Sequence, residues 1–181
     1  MFRRRAHRAG MPLVLLSCVG VMFSLLVLPR SVVNATAIDA PLQLIDLINQ
    51  QRTLHGCPVL SVAPELSLSA YSHAEDMAIN DFFNHIGSNG SHLGDRATAA
   101  GYTYMLVAEN MLAGSEDLTL IVDQWMASPT HRDNLLNCDL SEIGVGYVYQ
   151  EDDQANVQMP DATLSGPFHH YWVIDLGTRA P

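Results

Sequence analysis

"WMASPTHRDNLL", residues Trp125 to Leu136, decides how the C-terminal half of this chain is read. It closes an apolar helical pattern in which Leu118, Ile121, Val122, Trp125 and Met126 recur at steps of three and four. It then starts a second, short helix, because Ser128 is a good N-cap and Pro129 suits the first helical position. His131 falls at the third position of that helix. Positive partial charge at a helix N-terminus disfavours the imidazolium, and the neutral ring is the form that accepts a proton or ligates a metal. Alone, such a histidine more often just hydrogen-bonds a neighbouring carboxylate, so any chemistry needs partners from elsewhere in the chain.

The flanking sequence supplies the remaining elements. Pro41 fits the first turn of a helix that carries Leu44, Ile45, Ile48 and Arg52 and stops at Gly56. Pro64 opens another, with Leu66, Ala70, Ala74, Met77 and Ala78 as one apolar stripe. "SHLGDRATAAGY" predicts a short helix ending at Gly101. "MLVAENML" (Met105 to Leu112) predicts a strand, and Ser115 a cap for the helix that holds Trp125. In "EIGVGYVYQ", Gly144 and Gly146 alternate with Ile143, Val145 and Tyr147, so that a helix can approach closely. "HHYWVIDLG" is apolar on both faces, as a central strand is. Helices precede paired strands, which gives an α+β class with helices covering a small antiparallel sheet.

The first 37 residues are set apart. Four arginines (Arg3, Arg4, Arg5, Arg8) precede the apolar run Met11 to Leu28, and "NATA" follows at Asn34 to Ala37. This pattern reads as a secretory signal over residues 1–37, with an uncleaved membrane anchor as the second reading. Residues 38–181 then form a single domain, expected to be secreted and monomeric. That domain keeps four arginines (Arg52, Arg96, Arg132, Arg179) against all 19 acidic residues, a net charge of −15, and the chain has no lysine. Such a surface repels phosphate backbones, which argues against nucleic acid as a partner. Only Cys57 and Cys138 fall in the domain. In an exported protein two cysteines most often pair, and here they would close a loop worth about 4 kcal/mol; two buried free thiols are the alternative.

Signatures such as H-E-x-x-H, G-x-S-x-G and C-x-x-C are missing. What remains is histidine and glutamate in apolar surroundings. Glu109 sits inside "VAEN", where a carboxylate has to be paired, hydrogen-bonded, metal-bound or protonated. A plain role in tying down a loop is as good a reading. His85 follows two aromatics and precedes a glycine-rich turn. His73 lies beside the apolar stripe and reads as a satisfied residue at the core edge. His55 ends a helix, His92 neighbours an N-cap, and the adjacent His169 and His170 face opposite sides of a strand.

Taken in order, F-x-x-H, D-R with A-A-G-Y, A-E-N, W-M-x-S-P-x-H-R-x-N-L-L, E-I-G-V-G and Y-W-V resemble the bacterial branch of the CAP superfamily (cysteine-rich secretory protein, antigen 5, pathogenesis-related 1), also called the SCP-like extracellular domain. The match covers residues 42 to 177, and "GCP" at Cys57 with "NC" at Cys138 looks like actinobacterial, mycobacterial-type members. The resemblance implies an α-β-α sandwich with a central cleft lined by two histidines and two glutamates. Three of these fall on His85, Glu109 and His131. The second glutamate's place is taken by Ser128, with Glu142 as a weak substitute. The resemblance further implies a divalent cation, zinc or magnesium, or a lipid, sterol or cell-envelope ligand. Two histidines and one carboxylate are acceptable in type and number for zinc. The expected function is a secreted binding module. A hydrolase with His131 as base oriented by Glu109 is the alternative, and a structural secreted antigen without a working site is the third reading.

Overall fold

The computed structural model describes residues 35–181; the expected signal segment therefore lies almost wholly outside the described residues. Helix α1 runs Ala35–Leu54 and encloses Pro41 instead of starting beside it. The alanine-rich stretch before Pro41 carries the helix back, since alanine is the best helix former, and the proline costs one intrahelical hydrogen bond. The helix ends as expected at Gly56, whose φ of +79° few other residues adopt. Gly56 N–H donates to Thr53 O and Cys57 N–H to Arg52 O, the pair of bonds that closes a glycine C-cap.

Helix α2 (Pro64–Ile79) has Pro64 at its first position and buries Leu66, Ala70, Ala74, Met77 and Ala78. Helix α3 (Leu93–Ala99) ends at Gly101 with φ +91°. His92 is itself the N-cap residue, and its N–H donates to Asp95 Oδ2 at 2.9 Å. Helix α4 (Leu118–Ala127) is capped by Asp117, which accepts from Thr119 and Leu120 N–H, rather than by Ser115. A carboxylate at this position also favours the positive helix end. Ser115 instead accepts from Asp117 N–H. Helix α5 (Pro129–Leu135) starts where expected, with His131 at its third position, yet the Ser128 side chain makes no cap bond.

The strands are β1 (Ser61–Val62), β2 (Tyr104–Ala113), β3 (Glu142–Tyr149), β4 (Val157–Gln158), β5 (Leu164–Ser165) and β6 (His170–Arg179). The main sheet has the order β1-β3-β6-β2; its three long strands are antiparallel, and two-residue β1 adds a parallel edge. β4 and β5 form a hairpin in the long connection between β3 and β6. The strand β6 starts at His170, and His169 precedes it in a left-handed conformation.

The α+β class and the layered arrangement follow the expectation. One sheet face, with Ile143, Val145, Trp172, Ile174 and Leu176, packs on α1, α4 and α5. The other packs on α2, and here the glycines decide the spacing. A Cβ on Gly144 would sit 2.0 Å from Ser67 N, and one on Gly146 would sit 2.3 Å from the Ala70 carbonyl carbon. Backbone cannot yield to such contacts, so α2 lies directly on β3. The described residues form one compact unit.

Cys57 and Cys138 are joined, Cα–Cα 5.0 Å, within the range a disulfide spans. Beside the bridge, fully buried Arg52 donates to Pro58 O (2.8 Å), Leu135 O (2.7 Å), Asn137 O (3.0 Å) and Leu140 O (2.8 Å). The loop after α5 is thus held to α1 both covalently and by a guanidinium.

Gly146→Ala is expected to cost about 3 kcal/mol or more, because overpacking against a helix backbone cannot relax; urea denaturation checks it. Reducing the disulfide is expected to remove about 4 kcal/mol, the chain-entropy value for a loop of this length, in the same assay with and without reductant.

Candidate functional site

Strand β2 is an edge strand, and its "AEN" segment points to both layers. Glu109 pairs with Asp175 and Asn110 with Ile174, so their side chains lie on opposite faces. Asn110 turns toward α5, where its Nδ2 donates to His131 O at 2.9 Å and its Oδ1 accepts from Asn134 Nδ2 at 2.9 Å. Asn134 Nδ2 also reaches Glu109 O at 3.2 Å, and Trp125 Nε1 donates to Met111 O at 3.0 Å. Two outward carbonyls of the free edge are therefore satisfied by α4 and α5. The asparagines and the tryptophan of the C-terminal motif seal a sheet edge and fix where His131 stands.

On the other face, the Glu109 side chain is only 4% exposed. Its Oε1 lies 2.7 Å from His85 Nδ1, and its Oε2 accepts from Arg96 Nη2 at 2.5 Å. Arg96, on α3, also donates to the carbonyls of His85 and Ser91. Burial pulls the Glu109 pKa up, but the His85 hydrogen bond and the Arg96 charge outweigh it and hold the carboxylate below its ordinary range. His85 keeps 56% of its side chain exposed. Hence Glu109 orients His85, and not His131 as the hydrolase reading supposed. Arg96 stands in the D-R motif with no role legible there, and its partner becomes visible only once α3 packs beside β2.

His131 is half-buried. Burial first, and the nearby His85 charge second, lower its pKa, the same direction that the helix position suggests. Ser128 and His131 line a cleft of about 320 Å³ together with Phe83, Met111, Trp125 and Phe168. Met159 closes it from the β4–β5 hairpin, which is anchored by Phe83 N–H to Gln158 O (2.9 Å) and Gln158 N–H to Asp81 O (2.8 Å). Glu142 does not join the cleft residues. It accepts from Tyr102 OH at 2.7 Å and pairs with Arg179.

Two buried groups under the site were misjudged or missed from sequence. His73 is fully buried rather than at the core edge; its Nε2 bonds Asn84 O at 2.9 Å and burial lowers its pKa. Asp175 is 0% exposed, stands opposite Glu109 across the strands, and neither of its oxygens has a hydrogen-bond partner among the described residues. Burial, and then the Glu109 charge, push its pKa well up. The signal was available, since "YWVIDLG" places a carboxylate in an apolar run as "VAEN" does.

A metal finds no ready set here. Both Glu109 oxygens are engaged by His85 and Arg96, and among the described residues no three His, Cys, Asp or Glu side chains are arranged to hold an ion. The residues present do not fit a cation bound through Glu109.

The two carboxyls have opposite linkage to pH. Glu109, held low, favours the fold above its unfolded pKa of about 4.3, and that contribution is lost as pH falls through its folded value. Asp175, held high, favours the fold below about pH 3.9, and that contribution is lost as pH rises toward its folded value. Asp175→Asn removes only the second effect. Its stability relative to the parent is expected to grow between pH 4 and pH 7 in urea denaturation, and a constant difference would refute the burial account. Arg96→Met is expected to cost about 3–5 kcal/mol at pH 7, because it strips a buried carboxylate of its cation.

Comparison with known proteins bears on the family and the fold. Residues 45–176 match the cysteine-rich secretory protein (CAP) family. The Bacillus subtilis protein YkwD is 32% identical over 106 residues, 59% of this chain and 41% of that protein. The chain thus spans about two fifths of the length of that relative. A solved extracellular protein containing an SCP domain from Bacillus anthracis superposes with TM-score 0.63 at 26% identity, over 79% of this chain and 41% of that one. An outer surface protein of Borrelia burgdorferi gives TM-score 0.63 at 20% identity, over 78% and 94% respectively, a likeness of fold. On its matched residues and its fold, the chain belongs to the cysteine-rich secretory protein (CAP) family.

Proposed function

We propose that the protein is a secreted binding module whose cleft takes the apolar part of a lipid-like or cell-envelope ligand, with His131 meeting the ligand's polar end. The observation that carries this reading is the lining: Phe83, Met111, Trp125, Met159 and Phe168 surround a hollow of about 320 Å³, and His131 and Ser128 are among its few polar groups. Small-molecule sites have this make-up, apolar walls with a few placed polar groups. A neutral His131 can donate or accept a hydrogen bond there without a charge to desolvate. Secretion is supported by the basic, apolar and small-residue order of residues 1–37 and by the likeness to an extracellular protein of Bacillus anthracis. No helix among the described residues is long and apolar enough to cross a membrane.

One observation favours a second reading, hydrolysis. The His85–Glu109 pair leaves the other ring nitrogen of His85 available as a base, and the Ser128 hydroxyl is not engaged as a cap. In that reading the oriented histidine is His85. Peptide- or envelope-cleaving activity that disappears in Glu109→Gln and in His85→Ala would establish it.

The binding reading is tested with Nile red, a neutral apolar fluorophore. Binding is expected, weakened roughly tenfold by Phe83→Ala, as truncation of a buried aromatic contact usually does. It should be unchanged by a chelator. Fluorescence that ignores both Phe83→Ala and Phe168→Ala would remove the cleft from consideration.

A further inference from the structure

The sheet face that carries Trp172 continues outward from the core. Tyr147 pairs with Trp172, and Tyr149 with His170, across β3 and β6, so all four side chains lie on that face. The Tyr147 ring stacks on the buried Trp172 indole with centroids 4.0 Å apart, and it lies within 12° of parallel to the His170 ring. Tyr147 OH and His170 Nδ1 share a hydrogen bond of 2.9 Å. Tyr149 comes next, its ring 5.0 Å from that of His170 and the residue 55% exposed. An aromatic run thus leads out of the core and ends in solvent.

The turn before β6 adds a second imidazole. His169 has φ +59°, a left-handed conformation that is unfavourable for a residue other than glycine. Its surroundings hold it there. Buried Asp153 accepts from the N–H groups of Phe168 and His169, both at 2.7 Å, and from Tyr171 OH at 3.0 Å. His169 Nδ1–H donates to Gln150 O at 2.9 Å. The bend cancels the alternation that would send adjacent histidines to opposite sides, and the His169 ring lies 6.3 Å from that of Tyr149. Backbone strain of this kind clusters at binding sites, where the surrounding structure over-determines it.

The charge around the run is of one sign. Ser115 O accepts from Trp172 Nε1 at 2.9 Å, which brings the next residue, Glu116, to the Trp172–Tyr147 stack. Burial, and then the Glu116 charge, push the Tyr147 phenol up. Glu116 is exposed, as are Glu151 and Asp152 just beyond Tyr149. The chain has no lysine, and the four arginines of the domain are bonded elsewhere: Arg52 to four carbonyls, Arg96 to Glu109, Arg132 to Met126 O, and Arg179 to Glu65 and Glu142. An aromatic face rimmed by carboxylates attracts a cation through both the ring quadrupole and the charges. A guanidinium suits it best, because its plane also stacks on a ring.

We propose that this aromatic run is a docking surface for an arginine-bearing segment of a partner protein, with one guanidinium laid on Tyr149 and its basic neighbours facing Glu116, Glu151 and Asp152. The proposal is independent of what the cleft beside His131 binds.

The test is an NMR titration of the isotope-labelled protein with a blocked tri-arginine peptide and with its citrulline counterpart, which keeps the shape and lacks the charge. Tri-arginine is expected to shift the amides of Tyr149, His169 and His170, and the citrulline peptide to bind at least about fivefold more weakly. Tyr149→Ala, at an exposed position, should weaken tri-arginine about three- to fivefold, and Tyr149→Phe should leave it unchanged, because a phenyl ring keeps the quadrupole. Glu116→Gln should weaken it roughly two- to threefold. Asp139→Asn removes an exposed carboxylate whose residue is bonded to Thr178, at the other end of β6, and should have no effect. Equal losses in Asp139→Asn and Glu116→Gln would mean attraction by net charge alone and would overturn the proposal. So would equal binding of the citrulline peptide, binding undiminished by Tyr149→Ala, or tighter binding of the neutral glycan chitotriose at the same amides. Shifts of these amides on concentrating the protein alone would assign the surface to a second copy of the chain and overturn it too.

Discussion

A carboxylate buried in a sheet has to be answered on both oxygens, and the arrangement around Glu109 meets that demand. His85 takes one oxygen and Arg96 the other. Each arrives from a separate segment: the turn after α2 supplies the histidine, and α3 supplies the arginine. The ion pair therefore gathers two otherwise independent segments against β2. Breaking it strands a charge in a medium of low polarity, which is far more costly than never having placed it there. Asp175 shows the other solution to the same constraint. With no cation of its own and Glu109 opposite, burial drives it toward the neutral form.

The cleft is a by-product of how an edge strand is closed. Because side chains alternate across a strand, adjacent Glu109 and Asn110 reach opposite layers, one toward α2 and α3, the other toward α5. Trp125 and Asn134 then take the carbonyls that the free edge leaves open. The opening beside this seam is walled by Phe83 and Phe168 from one side and Trp125 from the other, with His131 at a fixed height set by its own carbonyl. Backbone and amide bonds hold the seam, and Trp125 and Met111 reach the cleft from the packed core.

Charge is distributed with a similar division. The domain is strongly acidic; Arg52 and Arg96 work inward, on carbonyls and a buried carboxylate, while Arg179 pairs with Glu65 and Glu142 at the surface. Apolar contact and neutral hydrogen bonds are what the cleft beside His131 has to offer.

The periodicity of the chain was enough to set the helices and long strands, the α+β class, and the helix stops at Gly56 and Gly101. These depend on neighbours within a turn or two, or on a residue's own backbone freedom. Gly144 and Gly146 likewise announced a close approach, though not by which helix. Caps were less legible: Asp117 displaced Ser115, and Ser128 holds the cap position without bonding, because several residues at a helix start can serve and local geometry selects among them. What tertiary structure alone decided was pairing. That Glu109 holds His85 rather than His131, that Arg96 is its cation, that Arg52 reaches four carbonyls beside the disulfide, and that Asp175, opposite Glu109, has its pKa pushed up all join residues far apart in the chain. Such partners are chosen by which faces meet when the layers pack, and a one-dimensional pattern carries the faces but not their meeting.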